Sequence, residues 1–189
     1  MKKYIRLTSL LAVVFISGNL VAQTSEEQKA YMEYMTPGPT QQMMAKSAGN
    51  WTGTVTMWMP DNPTPSTSTL ETTNSMILGG RYLQAVHKGT MMGQPFEGIG
   101  VTGYDNSKKV FVSSWVDNMG TGMIYMEGTW DAATHSMKLS GKNTDPVTGK
   151  DVPIREEMKF VDDNHQELVM YFTEKGKEFK GMEIKYVRK

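Results

Sequence analysis

The chain has 189 residues, 20 basic and 20 acidic side chains, a net charge of zero and 39% hydrophobic residues. That composition suits one globular domain with a sizeable core. It contains no cysteine, which excludes disulfides, thiolate metal sites, a cysteine nucleophile and a lipid anchor built on cysteine.

The chain opens with the basic stretch Met1-Lys-Lys-Tyr-Ile-Arg6, followed by the apolar run Leu10-Leu-Ala-Val-Val-Phe-Ile16. This pattern is a secretory signal peptide over residues 1–22, too short to span a bilayer, with cleavage expected after Ala22. The mature chain would then begin at Gln23, exported to the periplasm or the extracellular space, with no stable membrane anchor. Loss of Lys2, Lys3 and Arg6 leaves 17 basic against 20 acidic residues, a net charge of −3. A nucleic-acid partner, which requires a concentrated basic face, is not expected.

Residues 23–49 are polar and helix-favouring, interrupted by Thr36-Pro-Gly-Pro39. Two short helices follow from this, the second opening on Pro39, carrying Met43 and Met44 as its apolar stripe and closing at Gly49. Such a segment suits a lid or plug on one end of the domain.

Residues 50–189 change character, to short alternating runs separated by turn residues. Ten strands are predicted, starting near Trp51, Ser68, Arg81, Phe96, Val110, Gly122, Met137, Val152, Glu167 and Phe179. Short connections such as Gly79-Gly80, Asp105-Asn-Ser107 and Lys175-Gly176 make neighbouring strands antiparallel. Ten such strands leave open edges unless the sheet closes, so the expected fold is all-β, an up-and-down barrel with short N-terminal helices. Gly98, Gly100 and Gly103 in one strand suit sharp coiling or close approach.

Several segments together carry a family resemblance: Gly49-Asn-Trp51, Leu78-Gly-Gly-Arg-Tyr-Leu83, Gly93-Gln-Pro-Phe-Glu-Gly98, Gly103-Tyr-Asp105, Ser114-Trp-Val-Asp117, Glu127-Gly128 and Met182-Glu-Ile-Lys-Tyr-Val-Arg188. In this order they resemble the domain of unknown function 1579 family, exported bacterial proteins, over roughly residues 40–188. The resemblance implies a lipocalin-like barrel and brings no activity and no catalytic residues.

The candidate chemistry centres on Ser113–Trp130. Phe111, Ser113, Trp115 and Asp117 share one strand face and Val110, Val112, Ser114 and Val116 the other, and both faces are apolar enough to point inward. After the turn, Tyr125 and Glu127 oppose Ile124 and Met126, and the alternation again does not choose. Asp117 has two readings: a cap of the Asn118–Gly122 turn, or part of a site. The pocket expected from these residues places Trp115, Tyr125 and Glu127 in the lumen with Arg81 and Tyr82, an apolar cavity with a few polar groups to orient a ligand.

His87 lies in a strand, His135 at a turn and His165 in a polar turn, with no zinc-like spacing. His87 is the one strand-borne candidate for a haem ligand, against the simpler reading of a satisfied core histidine; no cofactor is expected. Sixteen methionines remain after the leader, either adaptable core filler or soft ligands for Cu(I). Hydrolase, zincin and phosphate-loop motifs are absent, although Glu97, Glu127 and Glu156 could converge in space. The expectation is a non-enzymatic exported barrel binding a small, largely apolar molecule. The alternatives are a hydrolase or isomerase using lumenal carboxylates, or a structural barrel with a filled core.

Overall fold

The computed structural model describes residues 25–189; the leader lies outside the described residues. Two helices, α1 (Ser25–Met35) and α2 (Pro39–Ala45), precede ten strands: β1 (Gly49–Met59), β2 (Asn62–Ile77), β3 (Tyr82–Met91), β4 (Gln94–Asp105), β5 (Val110–Asp117), β6 (Ile124–Asp131), β7 (Ser136–Thr144), β8 (Asp151–Phe160), β9 (His165–Glu174) and β10 (Lys177–Arg188). Every strand pairs antiparallel with its sequence neighbours, and β1 pairs with β10 from Trp51↔Arg188 to Met57↔Met182, closing the barrel. Among the described residues no sheet edge is left unpaired, the outcome expected for a sheet of this size.

The predicted ten strands form in the predicted order. β2 starts earlier than its sequence pattern suggested, because Asn62–Ser66 pairs back along β1 to Met59 across a bulge. Gly49 does not close α2. The helix ends at Ala45, capped by Lys46, whose N–H bonds the Met43 carbonyl, and Gly49, at φ 127°, opens β1. That left-handed region favours a residue without Cβ.

The two-residue period decides what enters the barrel. On β8, Ile154, Glu156, Met158 and Phe160 face inward while Arg155 and Glu157 form ion pairs on the outer surface. Buried Met44, Phe111, Met126, Met137, Leu139 and Ile154 pack along the β5–β8 wall, and Trp51, Val55, Leu70, Ile184 and Tyr186 along the closure. Met158 touches both groups and joins them across the interior. Trp51 and Phe111 are each 1% exposed; complete burial of such a side chain contributes about 1.5–3 kcal/mol.

α2 covers one end of the barrel. Its Met44 is buried against the β5–β8 core, and buried Gln41 donates from Nε2 to the Tyr104 carbonyl at 3.2 Å and to Asn106 Oδ1 at 3.0 Å. Asn106, in the β4–β5 turn, donates from Nδ2 to the carbonyls of Glu33 (3.0 Å) and Thr36 (2.8 Å), tying down the break between the helices. On the far side, Arg188 stacks 4.1 Å over the Trp51 ring and donates to the carbonyls of Ala48 and Lys46 at 2.7 and 2.6 Å. Trp51 Nε1 donates to the Ser47 carbonyl at 2.9 Å, so the α2–β1 junction is fixed from both chain ends.

Candidate functional site

The interior is not filled. A cavity of about 100 Å³ lies beneath α2, and a larger one of about 250 Å³ extends toward the opposite end of the barrel. Both are lined by His87, Trp115, Glu156, Leu168 and Tyr186, which therefore form the waist between them. The larger cavity is rich in thioethers. Met57, Met126, Met170 and Met182 stand on strands, and Met92 and Met119, 61% and 46% exposed, sit at the outer turns.

Trp115 owes its place to its neighbours. Its strand pairs with β4 at Gly98↔Asp117 and Gly100↔Trp115, and the indole lies across both glycines. A Cβ at Gly98 would overlap the ring, whereas one at Gly100 would sit 3.4 Å from it. Glycine is present where a side chain packs flat on backbone. Phe96 stacks on the same indole with centroids 6.3 Å apart, and His87 meets it edge-on at 5.2 Å.

Asp117 caps its turn and also holds the Trp115 indole. Oδ1 accepts from the Met119 N–H at 2.9 Å, capping the turn, and Oδ2 accepts from Trp115 Nε1 at 2.6 Å, fixing the indole. His87 is a satisfied histidine: its Nδ1 is 2.9 Å from Thr72 Oγ1. Burial lowers its pKa to about 4, so the ring is neutral near pH 7.

Glu156 is the unusual group. It accepts no hydrogen bond from any described residue, and the accessible surface it retains faces the cavities it lines. Burial raises its pKa to about 7. Tyr186 lies close enough that the Glu156 charge, added to burial, raises its phenol as well, and the Tyr186 hydroxyl has no hydrogen-bond partner among the described residues.

Of the residues expected to form the pocket, Trp115 lines these two cavities and Arg81, Tyr82, Tyr125 and Glu127 do not. Tyr125 is 53% exposed on the outer face, where its hydroxyl donates to Glu127 Oε2 at 3.3 Å. Tyr82 is 36% exposed and packs its ring on the glycine face of Gly103 outside the barrel. Arg81 is in the β2–β3 turn and donates to the carbonyls of Leu78 (3.1 Å) and Met35 (2.6 Å), a brace for α1. The physical reason is that Met126, Ile124 and Trp130 take the inward positions of β6, sending Tyr125 and Glu127 out. The three carboxylates that could have converged are dispersed: Glu97 pairs with Lys88 at 3.2 Å on the surface, Glu127 is outside, and Glu156 alone is within. Among the described residues no three His, Asp or Glu side chains converge as metal ligands.

Tyr186 was not named from sequence, and His87 and Glu156 entered only as a haem-ligand candidate and as one of three carboxylates that could converge, outside the expected pocket. The signal for Glu156 was present: Val152, Ile154, Met158 and Phe160 alternate with it on one apolar face, and a carboxylate in such a row is the exception.

A closed antiparallel barrel, covered by a helix at one end and hollow around a polar waist, is a lipocalin-like barrel. The chain belongs to the DUF1579 family: the model described as protein of unknown function (DUF1579) matches residues 36–188. No curated protein matches the chain. Among solved structures, the crystal structure of Rv2717c from M. tuberculosis is similar at a TM-score of 0.62 and 14% identity, over 82% of this chain and 99% of that one. At that identity the likeness is one of fold.

Proposed function

We propose that the protein is an exported carrier or receptor that holds a small, largely apolar molecule in its barrel. The observation that carries this reading is the 250 Å³ cavity, walled by methionine and aromatic side chains and ending on polar groups that the protein itself leaves unpaired. Small-molecule sites have this composition, apolar walls with a few polar groups to fix orientation. Thioether walls adapt to occupants of different shape. A barrel with a filled core would leave neither the void nor the unpartnered groups.

The test uses hexanol as a short apolar probe. Hexanol should raise the melting temperature of the mature protein and perturb Trp115 fluorescence, and a folded Leu168→Trp variant, which fills the waist shared by both cavities, should abolish both effects. An unchanged melting temperature at saturating hexanol would overturn the reading. The export half rests on the N-terminal leader pattern. Mass analysis of protein from its own cells should find a mature N-terminus near Gln23, and an intact Met1 would refute it.

A further inference from the structure

The polar groups of the lumen are one-sided. Among the described residues, those lining the two cavities include the carboxyl groups of Glu156 and Asp117 and no lysine or arginine. Asp117 is engaged with Trp115 and the Met119 amide, whereas Glu156 receives no hydrogen bond from any described residue. Two more buried oxygens lack partners among the described residues: Asn74 Oδ1, beneath α2, and the Tyr186 hydroxyl at the waist. The vacant capacity is therefore two acceptors and one hydroxyl, set among the rings of His87, Trp115 and Tyr186.

A ligand that completes this set must bring donors. An ammonium group carries three donors and no acceptor, forms a charge-assisted bond to carboxylate, and is favoured beside aromatic rings. A fatty carboxylate would bring further negative charge to a lumen lined by two carboxyl groups and no cation. An alcohol would fit but brings one donor instead of three and no positive charge to pair with the carboxylate.

We propose that the lumen selects a small protonated amine with an apolar body, its ammonium group bonded to the Glu156 carboxylate and the Tyr186 hydroxyl and its apolar part lying along the methionine-lined cavity. This rests on the ligand-binding reading above and adds the chemical class of the ligand. The titratable groups that face Glu156 across the lumen are His87, Tyr186 and Asp117. His87 is neutral above about pH 4. Burial raises the Glu156 carboxyl to about 7. Amine affinity therefore rises as pH rises through that value.

Calorimetric titration of the mature protein with hexylamine, hexanol and hexanoate tests the assignment. At pH 8 hexylamine should bind at least about tenfold more tightly than hexanol, and hexanoate should not bind. Glu156→Gln should remove that advantage, leaving hexylamine no tighter than hexanol on the same variant, and Tyr186→Phe should reduce it in part. Lowering the pH from 8 to 6 should weaken hexylamine about tenfold in the wild type, following the ionised fraction of a carboxyl near 7. That arm needs no variant. If hexanol binds and hexylamine binds no more tightly, or if hexylamine is indifferent to both pH and Glu156→Gln, the amine assignment falls while the cavity reading stands. If hexanol also fails to bind, the cavity reading falls with it.

Discussion

Gly98 and Glu156 show how single positions set the interior. Gly98→Ala places a methyl group inside the Trp115 ring, so the indole must move or the strands must part. The expected cost is about 1–3 kcal/mol, typical of overpacking, measured by urea denaturation with tryptophan fluorescence. Gly100→Ala, with 3.4 Å of clearance, should cost clearly less. Glu156 makes a pH-dependent contribution whose sign is fixed by its raised pKa. An acid that is harder to ionise in the folded state favours folding below its unfolded value, 4.5, and loses that contribution as pH rises through about 7. His87 acts in the opposite sense, with stability lost as pH falls from 6.5 through about 4. Comparing wild type with Glu156→Gln isolates the carboxyl: the variant should gain relative stability from pH 5 to pH 8, by up to about 3 kcal/mol at one pKa unit per 1.36 kcal/mol. A difference that stays constant over that range would show that the carboxyl is solvated in the folded state.

At the scale of elements, the helical cap depends on few bonds. Asn106 holds the α1–α2 break through its side-chain amide, and Gln41 holds α2 to β4. Asn106→Ala should therefore raise hydrogen exchange at residues 33–36 and through α2 while the strands keep their protection, at a stability loss of about 1 kcal/mol. Protection lost evenly over the barrel would refute so local a role. The elements were legible in the sequence because turn residues and two-residue alternation are local signals, and all ten strands follow from them. Which face turns inward is not local wherever both faces are apolar. The sequence around Trp115 and Tyr125 is of that kind, and the structure turns Trp115 toward the lumen and Tyr125 and Glu127 to the outer surface. Arg81 and Tyr82 stand beside the β2–β3 turn, and their roles depend on α1 and Gly103, partners distant in sequence. On β8 the faces differ clearly, and there the pattern alone points Glu156 into the lumen.

At the scale of the molecule, closure is the longest-range event. Trp51 pairs with Arg188 across almost the whole described chain, and no sheet edge is covered until β10 docks on β1. Folding dominated by such pairings is slow, in the range of milliseconds to seconds. Stopped-flow refolding followed by tryptophan fluorescence should fall in that range. Removing β10 (Lys177–Arg188) should abolish cooperative unfolding altogether, since it exposes two edges and takes away Ile184 and Tyr186; a truncated chain that still melts cooperatively would refute the dependence on closure. The same architecture, with α2 seated across one rim and Met92 and Met119 at the other, makes the hollow a cup rather than a duct. On the proposed function, a ligand would enter at the rim that carries Met92 and Met119, because α2 lies across the other.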